Sequence, residues 1–235
     1  MKKITLVIFF FCSILPSFSK EKLVLGTFII PRYIQSSTKG EFIELTKEIS
    51  KLSNMDIEIK ILPPKRTLLA FTQNEIDGYF PALDALQHGK VNKTSDFYIK
   101  EDFIFERKLS SYKKLKTKVR VCLTRGYPYH RKVLNNKDWV ISYASSDENC
   151  IELVNLNRAD IFIGEEITGL AAIKNLNLSN KITYNKFTPI SEQSVYFAFP
   201  DNEVGKKRSA AFDKALKKII MSGKYNKLFH LKEKK

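Results

Sequence analysis

What this chain lacks narrows its class first. Its 235 residues include only three histidines and three cysteines. His88, His130 and His230 show no metal-ligand spacing, and no cysteine has a nucleophile's setting. No Ser/His/Asp set can be assembled. No resident metal or cofactor is expected, and the common hydrolytic machineries are not either. There is no dense arginine block, zinc-finger spacing or aromatic RNA-binding motif, so nucleic acid is not an expected partner. Beyond the N-terminus, no segment reaches the roughly 20 apolar residues of a membrane span.

The N-terminus itself carries an apolar run. Lys2 and Lys3 precede Ile4 to Leu15, and Pro16-Ser17-Phe18-Ser19 follows. Ser17 and Ser19 fit the −3 and −1 positions of a cleavage site. The reading is a signal peptide over 1–19, with a mature chain starting at Lys20. The alternative is an uncleaved anchor, for which the run is short. Cys12 follows three phenylalanines rather than small residues, which argues against lipid attachment there. An exported, soluble product is expected. Hydrophobic content of 43% and charged content of 28% are those of an ordinary globular protein. The formal charge of +15 comes from lysines spread along the chain and at its end (Lys232, Lys234, Lys235). They read as a solvated surface with some attraction for anionic surfaces.

One pattern occurs twice. Residues 64–81 and 147–164 each read as an amphipathic helix, an Asn, an Asp three residues later, and a short apolar run. Asn74 and Asn157 suit left-handed helix stops. Asp77 and Asp160 read as structural, fixing the turns into the strands. Two such units predict two α/β lobes, with a cleft between them suited to a small molecule. After export, Cys122 and Cys150 make an even pair in an oxidising compartment, which predicts one disulfide. It would close a loop of about 28 residues and stabilise by roughly 3 kcal/mol in the chain-entropy model; two buried thiols are the alternative.

Periodicity supplies the rest. A strand over 23–30, a helix bearing Phe42, Leu45, Ile49 and Leu52, a strand over 57–61, a helix over 65–73 and a strand over 76–80 form a βαβαβ unit. Phe103, Phe105 and Leu109 are expected to continue this first lobe. A basic linker over 113–118 follows. The second lobe repeats the order: a strand over 119–123, a helix over 128–135, a strand over 139–143, a helix from Asp147 and a strand over 161–163. A helix over 168–176 and a strand over 182–187 complete it. Pro189 marks a second crossover. A strand over 195–199 and a helix over 204–221, stopped by Gly223, return to the first lobe. Tyr225, Leu228 and Phe229 add a last apolar face. The expected division is 20–113 with 190–235 as lobe 1, and 114–189 as lobe 2.

The order of these pieces resembles the extracytoplasmic solute-binding proteins of family 3, the polar-amino-acid type that serves ABC transporters. The residues that carry the resemblance include Leu62-Pro63-Pro64-Lys65-Arg66, Glu75-Ile76-Asp77-Gly78-Tyr79-Phe80-Pro81 and Ser95-Asp96-Phe97-Tyr98. In the second lobe they are Val121 to Tyr127 and Arg158-Ala159-Asp160-Ile161-Phe162-Ile163-Gly164-Glu165. Ser222-Gly223-Lys224-Tyr225 resembles the family's closing tail. The resemblance implies the type II periplasmic-binding-protein fold, two lobes joined by two hinge crossovers, in the periplasm. Family members place an Arg seven residues before the Ser-Asp-x-Tyr segment to hold a ligand carboxylate. Here that place holds His88, which departs from the pattern for α-amino acids. The family's acidic residue after the second lobe's strand corresponds to Glu165. Glu165 reads either as an amine contact or as a helix-start carboxylate.

Other candidate ligand contacts are Tyr33 in the loop after the first strand, Arg66 at a helix start, Tyr79 and Pro81. Arg66 and Tyr79 read equally as surface and core residues. Backbone N–H groups of Arg125-Gly126-Tyr127 are candidates for an anion, with Pro128 at the first position of the helix that follows. The function expected is a non-enzymatic, monomeric receptor for a small polar solute, delivering it to an inner-membrane ABC permease. A ligand-sensing module is a second reading. A periplasmic dehydratase with Glu165 as general acid is a third.

Overall fold

The computed structural model describes residues 20–86, 89–115 and 117–230. The expected signal segment lies outside them. None of the described helices is long and apolar enough to cross a membrane.

The first lobe opens with β1 (Glu21–Thr27), α1 (Glu41–Ser53), β2 (Met55–Ile61), α2 (Pro64–Thr72) and β3 (Gly78–Ala82). A short β4 (Val91–Lys93) and the long β5 (Tyr98–Arg107) follow. The second lobe has β6 (Val119–Thr124), α3 (Arg131–Leu134), β7 (Trp139–Ala144), α4 (Asp147–Asn155), β8 (Ile161–Glu165), α5 (Glu166–Asn175) and β9 (Ile182–Tyr184). The chain returns through β10 (Ser191–Pro200) to α6 (Glu203–Met221) and α7 (Lys224–Leu228).

Both lobes use one plan. In the first, β2, β1 and β3 lie parallel, and β10 closes the set antiparallel. In the second, β7, β6 and β8 lie parallel, and β5 closes the set antiparallel. β5 and β10 also pair with each other, Tyr98 opposite Val195 through Asp102 opposite Ser191. The result is one continuous order, β2-β1-β3-β10-β5-β8-β6-β7. Each closing strand changes partner midway, so both lobes share the β5–β10 ribbon.

Each sheet is buried on both faces, as parallel sheets require. In the first lobe, Phe197 and Phe199 face α1 and α6 with Phe42 and Phe212, while Tyr196 and Ala198 face α2 with Ala70 and Ile76. In the second, Cys122 and Phe162 face α4 and α5, while Val121, Ile161 and Ile163 face α3 with Val133. Each such large apolar side chain stabilises by about 1.5–3 kcal/mol. The lysines of α6 stay outside this packing: Lys206, Lys207, Lys214, Lys217 and Lys218 are all exposed.

The helix stops fall where expected, with Asn74 at φ 58° and Asn157 at φ 57°. Asn54 and Asn177, not singled out from the sequence, do the same at 56°. The two aspartates act alike. The Asp77 N–H donates to the Val24 carbonyl at 2.8 Å, and its Oδ2 accepts the Val24 N–H at 2.8 Å. Asp160 does the same with Arg120. Each carboxylate also takes a guanidinium, from Arg208 at 2.9 Å for Asp77 and from Arg120 at 2.7 Å for Asp160. Cys122 and Cys150 are joined in a disulfide that ties β6 to α4.

Several boundaries differ from the sequence reading. Phe103 and Phe105 pack in the second lobe's core, not the first, and Leu109 is fully exposed. Alternation shows which face a strand residue takes, but not which sheet a ten-residue strand has crossed into. We propose that the lobes hand over between Tyr98 and Phe103 on β5 rather than at residue 113, and between Ile190 and Val195 on β10. The helix expected over 128–135 begins only at Arg131, with His130 as its N-cap. Tyr129 is buried, and its hydroxyl accepts the Thr124 N–H at 2.8 Å, which keeps this segment extended. Phe187 lies beyond β9 and is exposed.

The Asp160 clamp is testable. Burial opposes ionisation of Asp160, but the Arg120 guanidinium and backbone N–H outweigh it and hold the carboxyl below its usual range. Stability from this group is therefore present above the ordinary aspartate pKa and is lost as pH falls through the lowered value. Asp160→Ala is expected to cost about 1.5–3 kcal/mol near neutral pH. The urea midpoint reads it, with the difference shrinking in acid.

Candidate functional site

A small cavity of about 80 Å³ lies between the lobes, where β5 and β10 exchange partners. Phe28, Ile30, Tyr33, Phe42, Pro81 and Leu83 line it from the first lobe. Tyr127, Pro128, Glu165 and Thr168 line it from the second, and Tyr98, Lys100 and Val195 come from the shared ribbon.

Local structure aims each group. After β1 the chain makes a tight turn, with Ile30 and Ile34 exchanging backbone hydrogen bonds and Arg32 at φ 70°. Tyr33 is thereby turned inward. Its carbonyl accepts the Phe42 N–H at 3.0 Å, which fixes it to the start of α1. Gly40, at φ 130°, allows that approach, because a Cβ there would lie 2.7 Å from the Tyr33 carbonyl carbon. Along β5, side chains alternate, so Tyr98, Lys100 and Asp102 share one face. Asp102 is fully buried, bonded to Lys100, and accepts the Ser191 hydroxyl at 2.9 Å.

Glu165 ends β8 and caps α5. Its Oε2 accepts the N–H groups of Ile167 at 2.9 Å and Thr168 at 3.1 Å. Its Oε1 faces two phenols, Tyr33 at 2.9 Å and Tyr98 at 3.1 Å, whose oxygens are 2.7 Å apart. The Tyr33 contact joins the first lobe to the second. Burial first, then the Glu165 carboxylate, pushes both phenols well above the usual tyrosine range, so both stay protonated and able to donate. Among the described residues, Arg32 and Lys100 near this cluster each have a carboxylate of their own. Arg32 pairs with Glu41 at 2.7 Å, and Lys100 pairs with Asp102.

A second buried carboxylate lies beside the cavity. Asp147 opens α4 and accepts the Thr124 hydroxyl on Oδ1, while its Oδ2 is buried without a hydrogen bond. Burial raises its carboxyl, and the Thr124 hydroxyl only partly offsets that. Tyr127 is raised to about 12 by burial and by Asp147, Glu148 and Glu165.

Of the residues singled out from the sequence, Tyr33, Pro81, Tyr127 and Glu165 meet at the cavity. Arg66 instead pairs with Glu75 at 2.7 Å on the surface. Tyr79 is 2% exposed and packs against Phe71 in the core beneath α2. The turn at Arg125-Gly126-Tyr127 does not present free donors together: the Arg125 N–H goes to Ala144 and the Tyr127 N–H to Thr124. The four-residue α3 starts too late to add more, and Pro128 lines the cavity instead of opening the helix. His88 lies outside the described residues. Tyr98 and Lys100 were not among the sequence candidates. Their signal was the alternation Tyr98-x-Lys100-x-Asp102, a charged pair on the inward face of a strand.

No protein-family model matches the chain, and no curated protein does. Solved structures do. The GluR0 ligand-binding core from Nostoc punctiforme, in complex with L-glutamate, is 17% identical with a TM-score of 0.70, over 88% of this chain and 97% of that one. A histidine kinase sensor domain with similarity to periplasmic binding proteins is 19% identical with a TM-score of 0.69, over 90% and 95%. The ancestral amino acid-binding protein AncCDT-1, a precursor of cyclohexadienyl dehydratase, is 15% identical with a TM-score of 0.67, over 89% and 93%. At such identities the likeness establishes the fold, the two-lobed α/β architecture of type II periplasmic binding proteins.

Asp147 gives a pH test. A raised carboxyl pKa in the folded state favours folding below the ordinary aspartate value of about 3.9, and that contribution is lost as pH rises towards the folded value. Melting temperatures of the parent and Asp147→Asn should therefore diverge with rising pH, in favour of the variant. A pH-independent difference would remove this account of Asp147.

Proposed function

We propose that this chain is a non-enzymatic receptor of the family 3 solute-binding type, exported to the periplasm and acting as a monomer. It binds a small solute between its lobes and delivers it to an inner-membrane ABC permease. The observation that carries the reading is the cavity itself, lined from both lobes and closed across by the Tyr33–Glu165 hydrogen bond. A solute entering here replaces bonds the two lobes make to each other, so binding and lobe closure are one event. Parting the Tyr33–Glu165 hydrogen bond on opening costs about 1.5–3 kcal/mol, the range for a bond to a charged group.

A sensing role is the second reading, supported by the likeness over 95% of a histidine kinase sensor domain. The dehydratase reading has less support. Glu165 spends one oxygen on capping α5 and the other on two phenols, which leaves no free oxygen aimed at a leaving group.

A thermal-shift screen of amino acids, amines, dicarboxylates and sugars tests the receptor. A ligand at 100 times its Kd should stabilise by about 2.7 kcal/mol and raise the melting point. Glu165→Ala should abolish the shift with the best compound. An unchanged affinity in that variant would remove Glu165 from the site. Turnover of a cyclic acid at catalytic amounts of protein would instead establish the enzyme.

A further inference from the structure

Resting on the cleft reading above, we infer that the ligand of this cleft is a primary amine with an apolar or aromatic body and no carboxylate. The argument begins with a count of charges. Lys100 is the only cation lining the cavity among the described residues, and buried Asp102 already neutralises it. Arg32, behind Tyr33, is neutralised by Glu41. Glu165 is the lining carboxylate without a cation. A zwitterion entering this space would bring a carboxylate that finds no unpaired cation among the described lining residues. Stripping that carboxylate of water without a partner is strongly unfavourable. A monocation instead balances Glu165 and leaves the two existing pairs undisturbed.

The second part is a count of protons. Glu165 Oε1, Tyr33 Oη and Tyr98 Oη form a triangle with sides of 2.9, 3.1 and 2.7 Å. Each phenol carries one proton, so two protons serve three oxygen–oxygen approaches. One edge of the triangle always lacks a hydrogen bond. A primary ammonium carries three N–H donors. With a slight parting of the lobes, it can give one to each oxygen, and both phenols then act as acceptors. A tertiary ammonium has one N–H and cannot. The remaining walls, with Phe28, Phe42, Leu83 and Val195, offer apolar surface to the body of the ligand. Rings that face the ammonium add a cation–π attraction.

Calorimetry on the mature chain with four compounds that share a phenyl ring tests this. The probes are phenethylamine, N,N-dimethylphenethylamine, phenylalanine and phenylacetate. Phenethylamine is expected to bind at least tenfold tighter than phenylalanine and the dimethyl analogue, with no binding of phenylacetate. Tyr98→Phe should weaken phenethylamine several-fold. Glu165→Gln, which keeps a capping oxygen, should abolish its binding. Phenylalanine binding as tightly as phenethylamine, or equal binding of the dimethyl analogue, would overturn the inference and leave the cleft receptor standing. Binding of a sugar or dicarboxylate in the wider screen, with no amine bound, would do the same. If no compound of either panel binds, the receptor reading fails together with this one.

Discussion

Two strands, β5 and β10, each change hydrogen-bonding partner halfway along, and the rest of the molecule is arranged around that exchange. Each closes the parallel sheet of one lobe with one half and pairs with the other strand along the remaining half. The lobes are therefore joined by a two-stranded ribbon. The cleft lies at this point, with lining residues from both lobes and from the ribbon itself. Buried Asp102 fastens the ribbon: its side chain holds Lys100 and Ser191, and its carbonyl accepts the Ile190 N–H at 2.8 Å. The inward faces of the two strands then become the cavity floor.

Within each lobe a carboxylate holds the parallel strands together where the ladder starts. Asp77 and Asp160 meet Val24 and Arg120 in matching ways: each donates its N–H to the partner's carbonyl and accepts the partner's N–H on its side chain. The guanidinium partners differ. Arg208 reaches Asp77 from α6, so the C-terminal helix is tied into the first lobe, whereas Arg120 comes from the second lobe's own strand. The same plan thus yields one lobe that depends on the returning chain and one that is nearly self-contained. The disulfide between β6 and α4 lies in the self-contained lobe.

The parts of the fold that are set locally were legible. Apolar spacing marked α1, α4 and α6, alternation marked β2, and Asn74 and Asn157 marked helix stops. The helix-Asn-Asp-strand repeat was visible because both copies solve one local problem, a left-handed stop followed by a strand entry. The site was half legible. Tyr33 and Glu165 sit at strand ends facing the cleft, a position that the order of elements already implied. Arg66 and Tyr79 were both candidate ligand contacts, yet one pairs on the surface and the other fills the core. Their fates depend on which neighbours the fold supplies, Glu75 and Phe71, and residue type carries no record of that.

Two βαβαβ units, their helix stops, their structural aspartates and an even pair of cysteines can all be read along the chain. Each of these follows from residues close together in the chain or from the compartment expected for it. The packing of whole sheets decided that Phe103 and Phe105 sit in the second lobe's core and that Lys100 is neutralised by Asp102. It also decided that Tyr33, Tyr98 and Glu165 converge on one point. Those outcomes depend on strand exchange and on contacts between residues as far apart as Tyr33 and Glu165. Such contacts are set by how whole sheets meet, and no periodicity along the chain encodes them.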